Sequence, residues 1–187
     1  KIKIHNPLIT QEEERIDIPF DGEVIYVKTG IGKVKAAIKT QEAIVNIKPD
    51  FVLNLGTAGS VKHSVGDILV CCNFLDRDLV KISHPEITSK LELDKKNISD
   101  FFPKMPINNN YECGTGDSFV LQPQDLTSDV CDMEAFAIAM VCDFYKIPFV
   151  SVKYVSDKVG ENNMKIWEET LANARIGLSN FFNSICN

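Results

Sequence analysis

Arginine is scarce in this chain. Of its 20 Lys and Arg side chains, only Arg15, Arg77 and Arg175 are arginines. Against 26 Asp and Glu, the balance leaves a net charge of −6. A nucleic-acid or polyphosphate surface needs convergent cations, guanidinium forks above all. An acidic, arginine-poor chain is a poor candidate for either, and no nucleic-acid partner is expected. Long apolar runs are missing too. No stretch approaches about 18 consecutive apolar residues, so no membrane span or membrane partner is expected. Residues Lys1 to Pro7 contain no apolar segment of the signal-peptide kind. The chain does not begin with Met, and a few residues are expected to precede Lys1. The six cysteines, Cys71, Cys72, Cys113, Cys131, Cys142 and Cys186, form no CxxC pair and no zinc spacing with His5, His63 or His84. No metal or other cofactor is expected. Cys142 in a helical pattern and Cys71-Cys72 in a strand-like one suit the buried, reduced thiols of a cytoplasmic protein.

What remains is an ordinary globular composition, 44% apolar and 25% charged. At 187 residues the expectation is one domain, 1–187, burying about 70% of its unfolded surface. Strand and helix patterns alternate. Val24-Ile25-Tyr26-Val27 is β-prone and runs to Gly30 and Gly32. A helical pattern follows, apolar at Val34, Ala37, Ile38, Ile44 and Val45, and stops before Pro49. Phe51 to Leu55 reads as a buried strand, Asp67 to Phe74 as another. Residues 83–112 are polar and Pro-rich, a surface excursion with one short helix between Leu91 and Phe102. Met133, Phe136, Ala137, Met140, Val141 and Phe144 fall on one helical face, and Phe149 to Val155 is a strand after Pro148. The last helix carries Trp167, Leu171, Ala174, Leu178, Phe181, Phe182 and Ile185, a stripe for the core or a subunit interface. Buried strands between helices predict an α/β fold: a three-layer α/β/α sandwich around a mixed, mostly parallel sheet.

Five short segments carry candidate chemistry. Gly30-Ile31-Gly32-Lys33 lies between strand and helix but lacks the third Gly of a dinucleotide loop and the Ser or Thr of a Walker loop. It reads as a tight turn. Gly56-Thr57-Ala58-Gly59 is either a plain turn or a place where backbone meets ligand, since ligands gather at strand carboxyl ends in α/β sheets. Asp132-Met133-Glu134 opens the strongest helix; its carboxylates either favour the positive helix end or grip vicinal hydroxyls. Asp157, after Ser156 at the end of an apolar strand, is either a turn residue or a partly desolvated general acid. Glu12-Glu13-Glu14 is a solvated run unless one carboxylate points inward.

In order, the chain also shows Thr-Gly-Ile-Gly-Lys-Val-Lys-Ala-Ala at 29–37, Lys-Pro-Asp at 48–50, Asn-Leu-Gly-Thr-Ala-Gly at 54–59 and Val-Gly-Asp-Ile at 65–68. Gly-Asp-Ser-Phe-Val at 116–120, Met-Glu-Ala at 133–135, Pro-Phe-Val at 148–150 and Val-Ser-Asp at 155–157 complete the set. Each is weak alone; the collinear series resembles the nucleoside phosphorylase and nucleosidase superfamily, closest to the methylthioadenosine/S-adenosylhomocysteine nucleosidases. The resemblance implies cleavage of a purine N-ribosidic bond in a homodimer, with a small purine nucleoside as partner. It implies that Asp157 protonates N7 of the base, steadied by Ser156. Phe119 would stack on the base and the Val120 backbone would bond its edge. Glu134 and Met133 would hold the ribose, and Thr57, Ala58 and Gly59 would line the reacting sugar face. A glutamate of the 12–14 run, Glu13 or Glu14, would activate water. Cleavage through an oxocarbenium-like state needs an acid at the leaving base and a nucleophile on the opposite face. Relatives that use phosphate carry an Arg where this chain has Asn54, so the resemblance favours hydrolysis over phosphorolysis. The chain departs from the family in its short excursion after residue 75 and in Ile4 to Ile9, which replaces a glycine-rich first strand.

Overall fold

The structure is a computed structural model that describes residues 2–5, 16, 18–160 and 164–186, and their side chains except at 2–5, 96–97 and 164–169. Two strands run through its centre, β3 (Phe51–Ser60) and β8 (Phe149–Lys158), parallel to each other. Both are buried on both faces, and their alternation feeds two cores. Phe51, Leu53 and Leu55 of β3 and Val150, Val152 and Tyr154 of β8 enter one core, while Val52, Phe149 and Val155 enter the other. A parallel pair covered on both sides demands such near-continuous apolar runs.

Around them lie β1 (Ile2–His5) and β2 (Val24–Val27), parallel beside β3, then β4 (Ile68–Asp76), β5 (Lys90–Glu92), β6 (Tyr111–Thr115) and β7 (Val130–Asp132). Five of the eight ladders are parallel, so the expected mixed, mostly parallel sheet is present. The open layer of a three-layer sandwich is not. Strand β8 pairs with both β3 and β4, and β3, β7, β6, β4 and β8 close into a five-strand ring. Two irregularities interrupt the ladders, one where Ser156 of β8 is passed over between the Ala58 and Gly59 pairs, one where Cys72 of β4 is passed over between the Cys71 and Asn73 pairs. The second also advances the alternation of β4, so that Phe74 joins Leu69 and Cys71 in one core while Val70 and Cys72 face the other.

Helices cover both sides. Helices α1 (Lys33–Ile47) and α3 (Ala135–Tyr145) pack together on one side. Helix α4 (Met164–Cys186) lies across β3, β4 and β8 on the other, burying Ala174, Leu178 and Phe182. The short helix α2 (Lys96–Phe101) brings Ile98 to the same core. Lys48 at φ 51 ends α1 just before Pro49, and Lys146 at φ 55 ends α3 two residues before Pro148.

Several elements differ from expectation. Residues 56–59 are strand, not turn, and β8 continues through Asp157. The excursion contributes β5 and leads into β6, whose partners lie far away in sequence. The stripes of α1 and α3 are only partly core: Val34, Ile38, Val45, Met140 and Phe144 are exposed. On α4 the Trp167 side chain lies outside the described residues.

Candidate active site

A cavity of about 220 Å³ opens where β3 and β8 end beside the start of α3. Thr57, Ala58, Gly59, Phe119, Val120, Met133, Glu134, Ser156 and Asp157 all line it. The structure thus brings together, from four separated segments, every pocket residue that the sequence motifs nominate within the described part of the chain. Glu12, Glu13 and Glu14 lie outside the described residues.

The register of the central strands explains the base end. Asp157 sits opposite Gly59 across the β3–β8 ladder, next to the irregularity at Ala58 and Gly59. Ser156 is buried and donates its hydroxyl to Asp157 Oδ1 at 2.6 Å. A side chain at 59 would come within 3.1 Å of Asp157 Oδ2, so glycine leaves room for the carboxyl group. Val120 is buried with Leu126 and Val159, whereas Phe119 is 60% exposed and projects at the cavity rim.

The other end is built at the start of α3. Glu134 takes the N-cap position and is buried. Its Oε1 accepts the Gly32 N–H at 2.9 Å. The Gly30-to-Lys33 turn therefore presents a backbone donor to a protein carboxylate. Burial pushes the Glu134 carboxyl up to about 7; the Asp132 charge adds to this, and the Lys153 ammonium and the Gly32 and Met133 N–H groups oppose it.

Close to Glu134 lies a buried ion pair between Asp132 and a lysine that the motifs did not nominate. Lys153 Nζ meets Asp132 Oδ2 at 2.8 Å, both side chains 1% exposed. Asp132 also accepts the Thr115 hydroxyl at 2.6 Å and, at the first residue of α3, the Ala135 N–H at 2.8 Å. Burial raises the Asp132 carboxyl, but Lys153 and these donors outweigh it and hold it below the usual carboxylate range. Burial likewise opposes the Lys153 charge, and the Asp132 charge and hydrogen bond outweigh it and hold the ammonium above its ordinary value. A lysine amid the buried run Phe149–Val155 of β8 was the readable sign, because a buried cation requires a partner.

Arg77 also lines the cavity, and its guanidinium donates to the carbonyls of Gly114, Gly116 and Ser118. Asn54 is fully buried in β3, accepting the Ser151 hydroxyl at 2.8 Å. Among the described residues, no three His, Cys, Asp or Glu side chains gather closely enough to hold a metal ion.

The family profile of the phosphorylase superfamily matches residues 17–105 and 115–186, and the chain belongs to that superfamily. Within it, the chain is similar to 5'-methylthioadenosine/S-adenosylhomocysteine nucleosidases. That of Bacillus velezensis is 32% identical over 176 residues, covering 82% of this chain and 76% of the relative. That of Bacillus cereus is 30% identical over 181 residues, covering 85% and 78%. Among solved structures, futalosine hydrolase of Helicobacter pylori superposes with a TM-score of 0.79 at 20% identity, covering 99% of this chain and 96% of that one. The nucleosidase of Colwellia psychrerythraea in complex with adenine gives 0.75 at 23% identity, covering 98% and 95%. These structural likenesses concern the fold.

Two outcomes follow. Lys153→Met strands Asp132 without its cation and is expected to cost about 3–5 kcal/mol, read from the urea midpoint. The double variant Lys153→Met with Asp132→Asn is expected to recover part of that loss; equal losses in both would deny that the charge is the cause. For Glu134, the folded carboxyl binds a proton that the unfolded chain gives up near 4.5. Its contribution to stability is full below pH 4.5 and lost as pH rises through about 7. Glu134→Gln is therefore expected to exceed the parent in stability at pH 8, by up to about 3 kcal/mol, with the gap closing toward pH 4.5. Melting curves across that range check it, and a gap that widens toward acid pH contradicts it.

Proposed function

We propose that this chain is a purine nucleosidase: a single nucleosidase-like domain, 1–187, that hydrolyses the N-ribosidic bond of an adenine nucleoside of the methylthioadenosine/S-adenosylhomocysteine type. The observation that carries this reading is one cavity with Asp157 at the end of β8 and Glu134 at the start of α3, each backed by its own hydrogen-bonding group. The nucleosidase relatives, matched over about three quarters of their length, support the same reaction.

The chemistry follows from charge. Cleavage leaves an oxocarbenium-like sugar and a purine that departs poorly as an anion. Asp157, steadied by Ser156, protonates N7 and accepts from the exocyclic amine. Phe119 stacks on the base, and the Val120 backbone bonds its edge. Ionised Glu134 accepts the 2′ and 3′ hydroxyls, with Met133 packed on the ribose. Thr57, Ala58 and Gly59 border the reacting face, where Glu13 or Glu14 activates a water.

Water rather than phosphate as nucleophile is supported by the state of the nearby cations. Position 54 holds a buried Asn engaged with Ser151. Lys153 is committed to Asp132 and Arg77 to three carbonyls. The exposed apolar side chains of α1 and α3 support a homodimer, and the six free thiols support a reducing, cytoplasmic compartment. No helix among the described residues is long and apolar enough to cross a membrane.

Incubation of a nucleoside panel with and without phosphate, followed by chromatography, is expected to show adenine release that does not depend on phosphate. Release only with phosphate would make the chain a phosphorylase; binding without turnover would make it a catalytically impaired relative. Asp157→Asn is expected to slow release by about 10²–10⁴-fold, and full activity would remove Asp157 from the mechanism. Light scattering is expected to give twice the 20.9 kDa chain mass; a monomer mass would contradict the dimer.

A further inference from the structure

The purine loop presents a mechanical problem. Phe119, the side chain proposed to stack on the base, is 60% exposed and so has little core packing to fix it. Its position depends on the backbone of 114–120, which runs from the end of β6 through two glycines. Something outside that segment has to hold it.

Arg77 does so. It follows β4, and its Nε donates to the Gly114 carbonyl at 3.2 Å. Its Nη2 donates to the carbonyls of Gly116 and Ser118 at 3.4 and 2.8 Å. One rigid fork thus spans alternate residues of the segment, up to the one before Phe119. The glycines permit this approach. A side chain at 116 would come within 2.8 Å of Nη2, and one at 114 within 3.1 Å of the Arg77 aliphatic stem.

The residues flanking Arg77 tie the same turn to the ribose end. Asp76 is buried and accepts the Asp78 and Leu79 N–H groups, which fixes the turn around Arg77. Asp76 and Asp78 both receive Lys33 Nζ, at 3.1 and 2.7 Å. Asp78 also accepts the Asp117 N–H, and Asp117 accepts the Lys33 N–H at 2.8 Å. Lys33 adjoins Gly32, whose N–H holds Glu134. Base loop, Asp76-Arg77-Asp78 turn and glycine turn therefore form one connected network.

We propose that Arg77 is a positioning residue for the substrate base: its guanidinium fixes segment 114–120, and with it Phe119 and Val120, in register with Glu134. The assignment rests on the purine nucleosidase reading of the pocket. It requires the planar fork rather than the charge alone, since a single ammonium cannot span three separated carbonyls.

The test compares the parent with Arg77→Ala and Arg77→Lys. Three quantities are measured: the adenine Kd by calorimetry, kcat and KM on the nucleoside cleaved best by the parent, and amide hydrogen exchange along the chain. Arg77→Ala is expected to weaken adenine binding and raise KM by about tenfold or more, the effect of losing one or two charge-assisted bonds. The change in kcat should be smaller. Exchange should quicken in 114–120 and stay unchanged in 149–158. Arg77→Lys should fail to restore adenine binding, and added methylguanidine should partly rescue Arg77→Ala. Adenine affinity and 114–120 exchange within twofold of the parent in a folded Arg77→Ala would overturn the proposal. So would full recovery by Arg77→Lys, which also serves if the alanine variant does not fold. A parent that neither binds adenine nor cleaves a nucleoside would sink the functional reading instead. The exchange data alone would then decide whether Arg77 holds the loop.

Discussion

Two full charges meet out of reach of water where β7 runs into α3. Asp132 and Lys153 are each 1% exposed, and either alone would be costly to bury. Together they tie β8 to the start of α3, with Thr115 of β6 and the Ala135 amide completing the carboxylate's bonding. Three strands and a helix are thereby held at one point. Glu134 lies two residues beyond Asp132, so its placement follows from that point. The same pair sets opposing fields on Glu134: the Asp132 charge disfavours its ionisation and the Lys153 charge favours it. The site needs both partners, because a lone aspartate there would drive Glu134 still further toward its neutral form.

The fold supplies the rest of the geometry. Strands β3 and β8 run parallel and end together, so Gly59 and Asp157 are neighbours across the ladder. Closure of the ring through β4, β6 and β7 brings Asp132 and segment 114–120 to the same end. A loop after β6 and a turn after β4 then meet over the cavity. A glycine turn before α1 offers its amide to Glu134. The arrangement stores a conflict typical of active sites: Glu134 is buried where ionisation costs stability, and it is proposed to act while ionised.

The parts legible in the sequence were those whose signal is local. Strands β3 and β8 are long and apolar, and α1, α3 and α4 carry helical periodicity ended by Pro or sustained over many turns. The motif residues at 57–59, 119–120, 133–134 and 156–157 could be named because they stand in a recognisable order. Strand β7, only three residues, and β6, with its Gly114 and a preceding run of three Asn, have little strand character of their own; pairing with distant strands makes them. The closed ring depends on β8 having two partners, which no local pattern records. Exposure of Val34 and Phe144 was equally hidden, because periodicity gives an apolar face but not what covers it. Lys153 was readable in principle as a charge inside a buried strand. Arg77 was not, since its partners are backbone carbonyls about 40 positions away that any sequence would supply.

The central claim is that this charge-paired scaffold serves a water nucleophile at the sugar. Its most direct test is the identity of the sugar product. With adenine nucleoside and an excess of inorganic phosphate, phosphorus NMR is expected to show the phosphate signal unchanged while free sugar accumulates in step with adenine. Appearance of a sugar 1-phosphate in proportion to the released base would contradict the account.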